Sequence, residues 1–287
     1  CEVSVLADGT SKSRCQMPAG TRIRVGCTYG CDTTLVTPIN RVARQLGYQV
    51  EYVNLYRQKS KTSGVLLASV DAVLSPGGKD IDPKFYLDAV SEGEKAAVLD
   101  RFARKGITSP NSAMRDGFEL SLLNEYFLPD RSEADVRQPW LGICYGAQIL
   151  GISAGIPLIV DIREEVGIPN RYKTNDLITI LDQGLSAEES LISRIMGSQE
   201  PFLAAEAHHQ ALNPRPDLPA ILEGRVRITA TSQPDGRLAE VIEFRDRPLA
   251  LGTQFHPERS ASGVSDGIFG WLLDAACEYH HDSRPPS

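Results

Sequence analysis

The sequence has little of what marks several functional classes. It holds five histidines, two tryptophans and three methionines in 287 residues, and aromatics make up 7%. No apolar run approaches the ~18 residues that a membrane-crossing helix needs. No Lys/Arg run or stripe stands out and the net charge is −7, so the electrostatic footprint of a nucleic-acid binder is missing. No internal repeat or long linker interrupts the chain, which favours one domain over residues 21–280. Short paired C-x-x-C knuckles are absent too, and a four-thiolate zinc site has little support. No signal-peptide pattern is present.

Cysteine is the one scarce residue with a pattern. Cys1, Cys15, Cys27 and Cys31 crowd the first 31 residues, with Cys144 and Cys277 further on. In an exported chain the four would make two disulfides, Cys1–Cys15 and Cys27–Cys31; in a cytosolic one they would be reduced thiols. Cys277 shares a helical-period stripe with Val264, Ile268, Trp271, Leu272, Ala275 and Ala276 and reads as a core residue. The chain opens on Cys1 rather than Met. A mature lipoprotein would begin so, and a trimmed chain explains it equally well. The compartment therefore stays open: cytoplasm is slightly favoured, and export or lipid anchoring through Cys1 is the alternative.

What is present is strand–helix alternation. Residues 1–20 are polar and turn-rich and read as an extension or small hairpin. Strands are expected at 21–26, 49–55, 70–74 and 139–143, with helices at 35–46, 91–104, 113–127 and 146–154. Gly47 stops the first helix as a left-handed cap. Alternation of this kind predicts a mostly parallel sheet with helices on both faces. The second half is β-rich, with strands expected at 158–162, 177–181, 226–231, 239–244 and 249–254. A helix over 263–279 closes the fold, and the tail from His280, assigned as flexible at 281–287, reads as disordered.

The chemistry concentrates at Gly142-Ile143-Cys144-Tyr145-Gly146, between a buried strand and a helix. This is the pattern of a nucleophile elbow, in which glycines allow a turn tight enough to expose a strained nucleophile. The helix N-terminus favours thiolate, the reactive form. A thiolate needs a base, and His256 ends an expected strand with Glu258 two residues on. Positions two apart on extended chain face the same way, so Glu258 can orient the imidazole and stabilise its cation. Oxyanion donors are expected from the backbone N–H of Tyr145 and from Gly77 or Gly78, in the loop after the third strand.

Together, GICYGAQ and GTQFHPE resemble the class I glutamine amidotransferase superfamily. LSPGGKDIDP, the helix motif Arg115-Asp116-x-x-Glu119 and His208-His209-Gln210 resemble its gamma-glutamyl-gamma-aminobutyrate hydrolase branch, the peptidase C26 group. The motifs run in that family's order from about residue 22 to 275. The resemblance implies a flavodoxin-like doubly wound sheet and the catalytic set Cys144, His256 and Glu258. It implies hydrolysis of a γ-glutamyl amide through a thioester, with no metal or organic cofactor needed. Gln148 matches a position that contacts the glutamyl group, and His208 and His209 would lie on a loop lining the pocket. Arg115 and Glu119 read as a structural ion pair one helical turn apart. The partner is a small γ-glutamyl substrate, with no nucleic acid and no membrane span; a homodimer is allowed.

Several residues depart from the family pattern. Tyr145 stands where Arg is usual, as in several true amidotransferases. Ile156 and Val160 replace Gly and Gln, while Asp161 is kept. Ala205 and Glu206 stand where Asn and Ser are expected, and Glu206 is expected to meet a cationic leaving amine. The alternative function is an ammonia-supplying glutaminase subunit of an amidotransferase complex.

Overall fold

The computed structural model describes residues 3–5, 11–13, 15–17, 20–109, 111–129, 137–181, 190–232 and 236–283. Nine strands build one sheet in the order β4-β3-β5-β6-β13-β12-β11-β8-β9. These are β3 (Ile23–Cys27), β4 (Val50–Asn54), β5 (Ala72–Ser75), β6 (Trp140–Ile143), β8 (Arg171–Ile180), β9 (Phe202–His208), β11 (Val226–Ser232), β12 (Ala239–Phe244) and β13 (Ala250–Thr253). The five strands from β4 to β13 are parallel, and their sequence order is 2-1-3-4-5, that of the flavodoxin-like doubly wound fold. The other four continue the sheet antiparallel.

Strands buried on both faces explain the unbroken apolar runs at 72–74 and 140–143. On β5, Val73 enters one core while Ala72 and Leu74 enter the other. One core is capped by α1 (Thr33–Leu46) and the long C-terminal helix α9 (Ser262–Ser283), with Ile39, Phe269 and Leu272 at its centre. On the opposite face α2 (Ser63–Ala68), α3 (Glu92–Lys105), α4 (Ser112–Tyr126) and α5 (Tyr145–Ser153) pack around Tyr126, Trp140 and Ile149. Asp32 caps α1 by accepting from the N–H of Thr34 and Leu35, and Gly47 ends it at φ 79°.

The β-rich half differs from expectation in three places. The strand expected at 158–162 is only β7 (Leu158–Ile159), paired with β10 (Ala211–Leu212). Asp161 then caps the short helix α6 (Ile162–Glu165), accepting from Glu164 N–H. The strand at 177–181 is the end of the much longer β8, and its partner β9 was not expected. Arg171, Lys173, Asn175 and Asp176 carry no apolar signal; cross-strand pairing with β9, not burial, makes that segment a strand. Short helices α7 (Leu191–Met196) and α8 (Pro219–Leu222) fill connections.

The termini are tied together. Strands β1 (Val3–Val5) and β2 (Ser11–Ser13) pair antiparallel, the hairpin being one of the two forms expected of the N-terminal extension. Cys15 is bonded to Cys277, and Cys27 to Cys31. The Cys27–Cys31 pairing matches expectation, but Cys15 pairs across the fold rather than with Cys1, which lies outside the described residues. Cys277 is fully buried, yet it is a disulfide partner and not only a packing residue. The tail expected to be disordered is helical through Ser283, where His280 Nδ1 meets Asp71 Oδ1 at 3.0 Å; residues 284–287 lie outside the described residues. No described helix is long and apolar enough to cross a membrane.

Candidate active site

β6 delivers Cys144 at the carboxyl edge of the sheet. Its N–H is held by Thr253 O at 2.7 Å, and its φ is 52°, in the left-handed region that costs a residue bearing a Cβ about 1–3 kcal/mol. The flanking glycines are sterically required. A Cβ on Gly142 would stand 2.4 Å from Gly146 O, and one on Gly146 would stand 2.1 Å from Ser75 O. Thus β5, β6 and the first turn of α5 approach more closely than any side chain allows. The first turn of a helix leaves N–H groups without intrahelical partners, and this one opens directly after the sulfur.

His256 follows β13, braced by its N–H to Ala205 O at 2.8 Å and by Ser260 Oγ on its carbonyl at 2.8 Å. Its Nδ1 lies 2.6 Å from Glu258 Oε1, and both side chains are buried. The sequence-expected residues Cys144, His256 and Glu258 are therefore brought together. Nε2, buried and without a hydrogen bond of ordinary geometry, is left to serve the sulfur. Burial alone would lower the imidazole pKa. Attraction and hydrogen bonding to Cys144, with the Glu258 carboxylate, outweigh it and push it up to about 10.

The glycine loop after β5 is clamped from α4. Arg115 Nη1 donates to Gly77 O at 3.1 Å and Nη2 to Pro76 O at 2.7 Å, while Nε donates to Glu119 Oε1 at 2.6 Å. Ser75 Oγ closes the ring onto Glu119 Oε2. The Arg115–Glu119 pair is thus the expected ion pair, and it also positions the loop. Tyr145 completes this wall: its hydroxyl donates to Asp116 Oδ1 at 2.7 Å and its ring lies 3.8 Å under the Arg115 guanidinium. Burial pushes Asp116 up to about 6, against the pull of Tyr145 and the Asp82 N–H. A Cβ on Gly77 would sit 3.1 Å from His256 Cε1 and 3.9 Å from Cys144 Cβ, so the Gly77 backbone borders both.

Two spaces meet at the sulfur. A cleft of about 710 Å³ is lined by Tyr29, Asp32, Arg57, Gly77, Gly78, Lys79, Asp116, Cys144, Tyr145 and His256 among others. A cavity of about 100 Å³ lies on the other side, lined by Cys144, Gln148, Asp80, His208, His209 and Gln210 among others. Gln148 donates to Gln210 O at 3.0 Å and Gln254 Oε1 at 3.1 Å, and Gln254 in turn points its amide at Cys144 Sγ, 3.6 Å away. His209 Nε2 meets Asp80 Oδ2 at 2.8 Å, and its pKa is raised although burial opposes this. His208 ends β9 rather than sitting on a loop, and both histidines reach the cavity as buried, bonded groups.

Glu206 is not where it was expected. It is 1% exposed, lines neither space, and lies 2.9 Å from His208 Nε2 behind the site. It cannot meet a leaving amine, because alternation along β9 turns it away from the cleft that Ala207 lines. Gln254, Asp80 and the Arg115 clamp were not identified as site residues. Gln254 had a readable signal: a polar residue in an apolar strand, two positions before His256 and so on the same face.

The doubly wound sheet thus carries a strained cysteine on its carboxyl edge with a buried His–Glu pair beside it. The Peptidase C26 family matches over residues 40–258, and the chain belongs to that family. Membership makes hydrolysis of amide bonds the coarse class of its chemistry. A Mycobacterium tuberculosis protein named "Putative glutamine amidotransferase Rv2859c" is 27% identical over 75% of this chain and 59% of its own length. A CTP synthase of Hyphomonas neptunium is 26% identical over 66% of the chain and 39% of its own length. The chain thus spans well under two thirds of these relatives. A solved glutamine amidotransferase from Thermotoga maritima covers 83% of the chain, and the chain 77% of it, at 17% identity and a TM-score of 0.48.

Proposed function

We propose that this chain is a cysteine-dependent hydrolase that cleaves a γ-glutamyl amide bond through a γ-glutamyl thioester. One observation carries the reading: a cysteine held at φ 52° before a helix N-terminus, beside an imidazole whose Nδ1 a carboxylate holds at 2.6 Å. The Cys144 thiolate attacks the γ-carbonyl carbon, and the oxyanion is received by the Tyr145 N–H and an N–H of the Gly77–Gly78 loop. The imidazolium of His256 gives its Nε2 proton to the departing nitrogen as the C–N bond breaks. Water then adds to the thioester, His256 takes its proton, the C–S bond breaks, and glutamate leaves with the thiolate restored. Glu258 keeps the ring oriented and its cation stabilised throughout.

In this reading the small polar cavity with Gln148 holds the glutamyl end, and the large cleft holds the amine. Arg57 and Lys79 stand exposed on that cleft and favour a leaving amine that carries a carboxylate. Glutamine itself is the substrate of the second reading, an ammonia-supplying glutaminase, which the likeness to CTP synthases supports.

A panel of glutamine, γ-glutamyl-GABA, γ-glutamyl polyamines, γ-glutamyl peptides and polyglutamates, followed by mass spectrometry with Cys144→Ala as control, separates the two. Selective release of glutamate and an acidic amine, lost in the variant, is the expected result. Turnover of glutamine alone moves the assignment to the glutaminase. No release from any member overturns the acyl group.

A further inference from the structure

Strands β8 and β9 end the sheet, and a buried cluster that the chemistry above does not use joins β9 to β12. Glu206 and His208 occupy alternate positions of β9, and Glu240 lies on β12. Their relative exposures are 1%, 4% and 1%. One donor atom from each lies within 4.8 Å of the others. No donor reaches either oxygen of Glu206 or Glu240 in ordinary geometry, and Nε2 of His208 is likewise unpartnered; the two carboxyls face one another closely enough to share a proton. Nε2 stands 2.9 Å from Glu206 Oε2, but at an angle that makes no such bond. Buried polar atoms in this number demand an explanation, and two buried carboxylates are costly unless a positive charge joins them.

His208 does not bring that charge of itself. Its Nδ1 lies 2.8 Å from Gln210 O. A carbonyl only accepts, so Nδ1 carries the proton and a neutral ring presents its lone pair at Nε2, the arrangement that orients histidine ligands of metals. Arg171 and Asp176, paired at 2.8 Å, balance one another nearby. We propose that Glu206, His208 and Glu240 form a divalent-cation site, with Zn²⁺ the best match. One imidazole and two carboxylates are a donor set zinc takes. Two donors each ~2.0–2.2 Å from one tetrahedral ion stand about 3.4 Å apart, so the 2.9 Å between Nε2 and Oε2 opens by about half an ångström to admit it. The charges of two carboxylates and one divalent ion cancel. Ser232, which reaches Glu240, offers a neutral fourth oxygen.

The site positions; it does not react. Glu240 O accepts the N–H of Gln254, and Ala205 O, next to Glu206, accepts that of His256, both at 2.8 Å. An ion joining β9 to β12 therefore braces both sides of the segment that carries His256.

The test is metal analysis of the purified full chain, wild type and Cys144→Ala, the latter removing a competing thiolate. About one equivalent of zinc is expected in each. After chelation, Co²⁺ added to either should give visible bands of nitrogen–oxygen ligation without a sulfur charge-transfer band, and chelation should lower the melting temperature. Glu206→Gln and Glu240→Gln should each weaken Zn²⁺ binding at least about tenfold. If those variants do not fold, the wild-type and Cys144→Ala results decide. A chain that carries no metal and binds neither Zn²⁺ nor Co²⁺ overturns the proposal and leaves the carboxyls sharing protons. Binding that requires Cys144, or that survives intact in folded Glu206→Gln and Glu240→Gln, overturns it equally.

Discussion

A single side chain, His256, links the proposed chemistry to pH. Its pKa is raised from 6.5 to about 10, so the imidazolium is favoured in the folded state. The sign follows: the stability it contributes is complete below ~6.5, declines as pH rises, and is gone above about 10. Chemical denaturation between pH 6 and 10 should show that decline, and His256→Asn should flatten it. The same cation must exist to protonate the departing amine, so kcat/KM should fall on an alkaline limb near pH 10. Glu258→Gln removes a carboxylate that favours the cation; it should move the limb to lower pH and cost about 10²–10⁴ in kcat. An unmoved limb would mean that Glu258 does not govern the imidazole. Cys144, His256 and Glu258 were legible in the sequence because each depends on local rules: a glycine-flanked elbow and a two-residue spacing on extended chain. Asp80 was not, since it reaches His209 across 129 positions of chain, and no local pattern reports such a meeting. Glu206 misled for a related reason: its place beside the His208-His209-Gln210 segment suggested contact with a leaving amine, while β9 alternation turns it inward.

At the scale of elements, the clamp from α4 holds the glycine loop in which the proposed oxyanion donors stand. Arg115 is buried with Glu119 and holds two loop carbonyls at once. Arg115→Met should lower unfolding free energy by about 3–5 kcal/mol, because it leaves Glu119 buried without its counter-charge. It should also reduce kcat by up to about 10²–10³, the scale of losing one oxyanion donor. Arg115→Lys should restore part of the stability and little of the kcat, since an ammonium cannot span two carbonyls as the fork does. Equal kcat in all three proteins would show that the clamp holds the fold without tuning the site. The parallel strands and their helices were legible because burial on both faces writes apolar runs. The first part of β8 and all of β9 were not, because pairing with one another makes them strands, and the polar start of β8 carries no apolar signal.

Over the whole molecule, one of the two disulfides among the described residues joins a local loop, Cys27 to Cys31, and the other pins residues far apart in sequence, Cys15 to Cys277. Peptide mapping without reduction should recover Cys15 joined to Cys277 and Cys27 joined to Cys31, with Cys144 alkylated as a thiol. Replacing Cys277 by Ala should lower stability by about 2–5 kcal/mol, since that bridge spans 262 residues. Recovery of Cys15 joined to Cys1 would restore the pairing that crowding near the N-terminus suggests. Crowding made the Cys27–Cys31 pair readable, whereas Cys15–Cys277 depends on how α9 packs back beside the chain start. The central claim concerns a covalent state of the molecule, and intact mass tests it most directly. The protein should be mixed with a γ-glutamyl amide that it turns over and quenched in acid within the first turnover. The account predicts a mass gain of one glutamyl residue, mapped to the peptide bearing Cys144 and absent from Cys144→Ala. Turnover with no adduct at any quench time, or undiminished in Cys144→Ala, would contradict it.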